Sequence, residues 1–317
     1  MTWLMLVIGL LLLVAGGDGL VRGSVALAQR AGISPLLIGL TLVGFGTSTP
    51  ELLTSVGAAL ADSPGIAVGN VVGSNIANIL LILGLAALIR PIAVAPAALK
   101  RDTTICLAVA GICALAVLYG TLNRPVGGVL LVLLVVYVVA TYLLDRRGGG
   151  PVAALHASEA AAVAPRPQRL WLSAAMALGG LALTLAGAKL LVDAAVTLAG
   201  AAGVSETVIG LTIVAVGTSL PELITSLVAA LRGQSDVAFG NVVGSNIFNV
   251  LGILGVTALV QPIPVPPEIA SFDIWVMIAA SVLLIVFAAT GRRLSRGEGA
   301  ASMAAYALYL IAVGGAI

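Results

Sequence analysis

Charge, histidine and cysteine are scarce in this chain. Charged residues make up 9% of its 317 positions and hydrophobic ones 60%, with a mean hydropathy of +1.18. A soluble globular domain carries roughly 25% charged residues, so this composition excludes one. The single histidine, His156, excludes a His-ligated haem, a multi-histidine zinc site and a Ser/His catalytic pair within the membrane. The two cysteines, Cys106 and Cys113, share one apolar run at a helical separation too long for a disulfide, and they read as small packing residues. Fifteen Lys and Arg against thirteen Asp and Glu leave a net charge of +2, too small and too dispersed for a nucleic-acid footprint.

What the chain has in abundance is apolar sequence. About ten segments are long enough to cross a bilayer: 3–21, 35–60, 66–89, 103–120, 126–144, 170–190, 207–231, 237–260, 271–290 and 302–317. Their Leu, Val, Ala and Ile content argues for helices, and the short alternating segments of an outer-membrane barrel are missing. The first segment reads as a span, because it lacks the basic start and the small-residue cleavage site of a signal peptide. Residues 145–169, with Gly148-Gly149-Gly150-Pro151 followed by Ala-rich sequence, Pro165 and Pro167, read as a flexible linker.

The two sides of that linker repeat each other. Residues 36–91 align without a gap with 207–262 at a constant offset of 171, and 33 of 56 positions are identical. The Gly, Asn, Ser, Pro and Glu positions match best, which chance likeness between Leu-rich helices would not produce. Five spans on each side is an odd number, so the second copy enters the membrane with opposite orientation. The expected fold is therefore an all-α integral membrane protein of ten transmembrane helices in two inverted five-helix repeats, 1–144 and 170–317. An outside N-terminus puts thirteen of the fifteen Lys and Arg on the cytoplasmic side, leaving only Arg124 and Lys189 outside. That asymmetry places the linker in the cytoplasm and both termini outside the cell (inner) membrane.

Two acidic residues break the apolar pattern. Glu51 and Glu222 lie near the middle of long apolar spans at equivalent positions of the repeat. An ionisable group at the bilayer centre costs at least ~2.5–3.5 kcal/mol, which marks it as functional by default. Each sits in a polar stripe at spacings of three and four: Thr47, Ser48, Glu51, Thr54 and Ser55, and Thr218, Ser219, Glu222, Thr225 and Ser226. Pro50 and Pro221 deprive the carbonyls of Gly46 and Gly217 of their helical partners and kink both spans. The following spans carry Asn70, Ser74 and Asn78, matched by Asn241, Ser245 and Asn249. Gly69 with Gly73, and Gly240 with Gly244, have the spacing that lets helices approach closely. Asn75 and Asn246 fall off that stripe and read as packing or backbone-bonding groups. Two carboxylates, hydroxyls, amide oxygens and freed carbonyls are all hard donors. They suit Ca²⁺, and Na⁺ by the same hardness, while transition metals are disfavoured.

The motifs GTSTPELLTS…GNVVGSNIAN and GTSLPELITS…GNVVGSNIFN resemble those of the cation/calcium exchanger superfamily, most closely the prokaryotic calcium/sodium antiporters. The resemblance extends to the layout of nearly the whole chain. It implies a secondary antiporter rather than an enzyme, working in the lipid bilayer on transported Ca²⁺ and Na⁺, with no cofactor. It implies that Glu51 and Glu222 ligate Ca²⁺ with Thr47 and Thr218. Ser48, Ser219, Ser74, Ser245, Asn78 and Asn249, with carbonyls near Gly44 and Ala215, would complete the Na⁺ and Ca²⁺ sites. Some relatives carry an acid where this chain has Asn249, so a third carboxylate is missing here. Both motif acids are Glu rather than the Asp of potassium-dependent relatives. The paired GTS-x-PE motifs favour sodium over proton coupling, with a Ca²⁺/H⁺ antiporter as the first alternative and a passive cation channel as a weaker one. The weakly polar first and sixth spans are the candidates to slide across the site in alternating access.

The orientation has a direct test. A single cysteine at Ala157, in a background without Cys106 and Cys113, should react in intact cells only with membrane-permeant thiol reagents. One at Pro64 should react with impermeant reagents. The reverse pattern would overturn the orientation read from Lys and Arg.

Overall fold

In the computed structural model, which describes residues 2–31, 33–147, 169–201 and 215–314, every long element is a helix. Before residue 148 the helices are α1 (Thr2–Ala31), α2 (Leu36–Thr47), α3 (Thr49–Leu60), α4 (Pro64–Ile89), α5 (Pro96–Leu118) and α6 (Arg124–Arg147). After residue 168 they are α7 (Leu170–Ala201), α8 (Ala215–Thr218), α9 (Leu220–Leu231), α10 (Ser235–Val260), α11 (Ile269–Ala289) and α12 (Arg296–Gly314). Among the described residues seven helices are long and apolar enough to cross a membrane, and the bent pair α2–α3 makes an eighth. Residues 148–168, which hold most of the expected linker and His156, lie outside the described residues.

Burial ranks the helices. In α4 and α10, 72% and 83% of the most apolar window is buried inside the protein, against 22% to 44% in the other five long spans. These two helices, which carry the Asn stripes, form the centre. Val129, Val132, Val135, Val136 and Val139 of α6 lie exposed, as do Trp3, Leu11 and Leu115. A continuous apolar surface of this kind suits lipid, which asks only that side chains be apolar and backbone groups be paired within the helix.

Short strands join the segments before residue 148 to those after residue 168. The short strand β1 (Ile92–Ala93) pairs antiparallel with β4 (Arg293–Leu294), and β2 (Thr121–Leu122) with β3 (Ile263–Pro264). Each pair takes one strand from each side of residues 148–168. Arginines add a second tie by donating to carbonyls at helix C-termini, where backbone acceptors lack helical partners. Arg296 donates to Ile89 O at 3.3 Å, Arg124 to Leu259 O at 3.1 Å and Arg90 to Leu231 O at 2.9 Å. All of these contacts join segments that the Lys/Arg pattern assigns to one side of the membrane.

Helices α1 and α7 are longer than the apolar segments 3–21 and 170–190. They run on through charged residues because those residues are paired: Asp18 with Arg22 at 2.9 Å and Lys189 with Asp193 at 3.1 Å, each one helical turn apart. Asp18 also pairs with Arg232 at the end of α9. The two helices lie antiparallel with their backbones in contact. Gly9, Gly16 and Gly23, seven residues apart, face Gly187, Gly180 and Ala177. A Cβ at Gly16 would lie 2.7 Å from Gly180 O, and one at Gly187 would lie 2.7 Å from Gly9 O. Close packing of small residues is the main attraction between helices in lipid, where no hydrophobic gain is available.

Gly16→Leu should therefore force α1 and α7 apart and cost at least the ~1–3 kcal/mol of an overpacked contact. Thermal melting of the purified protein should show a clear loss. Gly179→Ala, whose new methyl meets nothing within 4 Å, should melt like the parent. Equal melting of all three proteins would refute the packing account.

Candidate functional site

The span expected at 35–60 is broken rather than merely kinked. Helices α2 and α3 meet at Ser48 with a bend of 44°. Pro50 sits in the first turn of α3 and Pro221 in the first turn of α9, where a missing N–H has no helical partner to lose. The Gly46 carbonyl that Pro50 leaves without a helical donor is taken by the Thr49 hydroxyl at 2.8 Å, so it is satisfied locally instead of lining a cavity. The break puts Glu51 and Glu222 in the first turns of their half-helices, at the end whose partial positive charge suits an anionic side chain.

Glycines bring the broken span against α10. A Cβ at Gly44 would lie 3.0 Å from Ser245 N, and one at Gly240 would lie 2.8 Å from Leu36 O. The expected close approach at Gly240 and Gly244 is thus realised against α2. The segment that the repeat sets opposite Gly69 and Gly73 falls within 202–214, outside the described residues.

Both carboxylates are buried, with 1% of their surface exposed, and each is bonded from the other copy of the repeat. Ser48 Oγ donates to Glu222 Oε1 at 2.8 Å, and Ser219 Oγ donates to Glu51 Oε1 at 3.0 Å. Ser219 also lies 3.4 Å from Ser74 Oγ. Behind each carboxylate an asparagine holds the broken helix. Asn70 Nδ2 donates to Glu51 O at 3.1 Å and Ser55 Oγ at 2.9 Å, and Asn241 Nδ2 to Glu222 O at 3.2 Å and Ser226 Oγ at 2.8 Å. Thr47 Oγ1 donates to Val43 O at 3.0 Å and lies 3.2 Å from Asn241 Oδ1. Ser245 Oγ donates to the Gly44 carbonyl at 3.1 Å. Ala215 begins α8 and Thr218 ends it, partly buried and immediately before Ser219.

Asn78 and Asn249 begin the π-helical stretches Asn78–Leu83 and Asn249–Leu254. Such widened turns recur at functional sites, and the period-four stripe gave no sign of them. Their amides are held by the two asparagines assigned to packing. Asn78 Nδ2 donates to Asn246 Oδ1 at 2.9 Å, and Asn249 Nδ2 to Asn75 Oδ1 at 3.0 Å. The backbone-bonding half of that reading holds, because Asn75 and Asn246 also donate to each other's main-chain carbonyls at 3.2 and 3.3 Å.

Four oxygens are left over. Glu51 Oε2, Glu222 Oε2, Asn78 Oδ1 and Asn249 Oδ1 are buried without a hydrogen-bond partner. A buried unsatisfied polar atom costs about 1–3 kcal/mol, so four on the two glutamates and two asparagines mark this cluster as the candidate site. Among the described residues no group of three or more His, Cys, Asp and Glu that could hold a metal ion is present, and this cluster itself has only two. A cation taken up here meets two carboxylates and otherwise neutral oxygens, a hard donor set without nitrogen or sulfur.

A family model described as sodium/calcium exchanger protein matches residues 1–143 and 172–315. The chain is 38% identical over 284 residues to the inner membrane protein YrbG of Escherichia coli, covering 88% of this chain and 86% of that one. It is 35% identical over 344 residues to the sodium/calcium exchanger MaX1 of Methanosarcina acetivorans, covering 98% and 97%. Its fold is similar to a solved structure of the sodium-calcium exchanger NCX_Mj soaked with Na⁺ and Ca²⁺, with a TM-score of 0.84, 35% identity and coverage of 98% of this chain and 97% of that one.

The clamp behind Glu222 can be tested apart from any ion. Asn241→Leu removes the side-chain donor to the Glu222 carbonyl and the Ser226 hydroxyl and should cost about 1 kcal/mol. Thermal melting in ion-free buffer should fall accordingly, and an unchanged melting temperature would show that the clamp contributes nothing to the broken helix.

Proposed function

From membership in the sodium/calcium exchanger protein family, to which this chain belongs as a multi-pass membrane antiporter of cations including Ca²⁺ and not an enzyme, we propose that it exports Ca²⁺ from the cytoplasm in exchange for Na⁺ entry. Ca²⁺ and Na⁺ are the cargo, not cofactors. The ion site is formed by Glu51, Glu222, Thr47, Thr218, Ser48, Ser219, Ser74, Ser245, Asn78 and Asn249, with the carbonyls of Gly44 and Ala215. The observation that carries this reading is the reciprocal bonding of Ser48 to Glu222 and Ser219 to Glu51, with the second oxygen of each carboxylate buried and unpartnered. Two carboxylates carry a charge of −2, which one Ca²⁺ or two Na⁺ neutralise. The two ions therefore compete for one set of oxygens, and competition makes the transport an exchange.

The chain does this with ten spans in two inverted five-helix repeats, 1–144 and 170–317. The bent pair α2–α3, α8–α9 and α12 complete the count beyond the seven long helices. Equivalent cross-copy contacts support that symmetry: the two strand pairs, the Arg124 and Arg296 caps and the paired Ser–Glu bonds. In the cell (inner) membrane the 145–169 linker faces the cytoplasm and both termini face out. Alternating access follows if the glycine-packed pair α1–α7 moves as one body across the broken helices. A Cβ at Gly46 would lie 2.8 Å from the Leu181 side chain of α7, so that pair already abuts the break.

Proteoliposome ⁴⁵Ca²⁺ uptake under an imposed Na⁺ gradient, a pH gradient, or neither separates the readings. Uptake driven by outward Na⁺ is expected. Uptake driven only by the pH gradient would make the protein a Ca²⁺/H⁺ antiporter, and uptake with neither gradient, down the Ca²⁺ gradient alone, would indicate a channel. Glu51→Gln and Glu222→Gln each remove half the site charge and should lower uptake at least tenfold while the protein still reaches the membrane. Robust exchange by the double variant would end the ion-site reading.

A further inference from the structure

Asn75 and Asn246 use every polar atom of their side chains, and they use them across the repeat. Asn75 Nδ2 donates to Asn246 O at 3.2 Å and lies 3.6 Å from Met277 Sδ, while Asn75 Oδ1 accepts from Asn249 Nδ2 at 3.0 Å. Asn246 Nδ2 donates to Asn75 O at 3.3 Å, and its Oδ1 accepts from Asn78 Nδ2 at 2.9 Å. The side chain of Asn246 also meets the Cys106 thiol. Cys106 and Met277 are themselves 171 positions apart, so both asparagines have equivalent surroundings.

The direction of these bonds is forced. A main-chain carbonyl only accepts, so the NH₂ group of Asn75 must face Asn246 O, which turns its oxygen toward residue 249. An oxygen only accepts as well, so residue 249 must present a donor there. Asn249 presents its NH₂, and its own oxygen is left pointing away from Asn75. The same logic runs from Asn246 to Asn78. The outcome is visible in the unpartnered, buried Oδ1 atoms of Asn78 and Asn249.

We infer that Asn75 and Asn246 are positioning residues of the ion site, each fixing the ligand amide on the opposite copy of the repeat: Asn75 that of Asn249, and Asn246 that of Asn78. This rests on the reading of Asn78 and Asn249 as ion ligands. It explains why the asparagines occur as a quartet. Without its partner, a ligand asparagine could present NH₂ or oxygen to the site with little preference, and the NH₂ face repels a cation. It also makes position 249 specific for a donor on the Asn75 side. An ionised carboxylate there would set oxygen against oxygen, so the amide is matched to this network and the site charge is held at the two glutamates.

The test is a pattern of coupling that general packing would not produce. Asn75→Ala, Asn78→Ala and Asn249→Ala, with the doubles Asn75→Ala/Asn249→Ala and Asn75→Ala/Asn78→Ala, are reconstituted as full chains. The Na⁺ dependence of ⁴⁵Ca²⁺ flux is then measured. Asn75→Ala and Asn249→Ala should each raise the half-saturating Na⁺ by about threefold or more, and the Asn75/Asn249 double should be no worse than Asn249→Ala alone. The Asn75/Asn78 double should multiply the two single effects, although these residues are near neighbours in sequence, because Asn75 serves the other copy. Multiplied effects in the Asn75/Asn249 double, or an Asn75→Ala curve that overlays the parent, would overturn the inference. Asn246→Ala with Asn78→Ala is the mirror test, and Asn75→Ser serves if the alanine variant does not accumulate. Glu51→Gln separates the failures. If it still exchanges Ca²⁺, the ion-site reading falls. If it is inactive and the coupling pattern is missing, only the positioning role falls.

Discussion

A carboxylate placed among apolar helices must find its partners inside the protein, and Glu51 and Glu222 find theirs across the two copies of the repeat. Each accepts a hydrogen bond from the serine that precedes the other's half-helix. Neither copy could satisfy its own glutamate in this way, so the site exists only when the copies are packed together. The helix breaks, the glycines and the amide network all follow from that requirement. The breaks bring each glutamate to a helix N-terminus. Gly44, Gly240 and Gly244 let the backbones close to the distance that a serine hydroxyl can span.

Duplication supplies the partners in pairs. The same offset of 171 relates Glu51 to Glu222, Asn70 to Asn241, Asn75 to Asn246 and Cys106 to Met277, and in each case the contacts also come in pairs. At the periphery, two strand pairs and arginine caps on helix C-termini join the copies. The α1–α7 contact depends mainly on backbone-to-backbone packing. It has few polar anchors to the centre, the Asp18–Arg232 ion pair being one. A firmly bonded centre thus lies beside a smoothly packed pair, which is what the proposed movement of α1–α7 requires.

Among the described residues eight buried side-chain oxygens lack a hydrogen-bond partner, and four of them belong to Glu51, Glu222, Asn78 and Asn249. In an apolar interior that is an unfavourable arrangement, and the proposed cation would relieve it. The sum of two carboxylates and neutral amides also limits the charge that the site tolerates. On the proposed site, one divalent ion or two monovalent ones would neutralise two ionised carboxylates, and a further monovalent ion would sit uncompensated in a low dielectric.

Much of this was legible in the sequence because membranes make polar letters conspicuous. A carboxylate in an apolar run costs enough to be kept only for use, and its recurrence 171 residues later identified the repeat, both glutamates and the Ser and Asn stripes. The limits of α1 and α7 were not legible, since charged residues end a hydropathy window but do not end a helix when each is paired one turn away. The fate of the Gly46 carbonyl was hidden as well, because the Thr49 hydroxyl that takes it was a neighbour without an assigned role. Composition and spacing by themselves determined the membrane class, the duplication and the hard-oxygen chemistry, since these depend on which side chains are present and how often they recur. Which serine serves which glutamate, and which asparagine turns which amide, was decided only by the tertiary structure, because those bonds join residues 168 to 174 positions apart and no local period encodes a partner on the other copy.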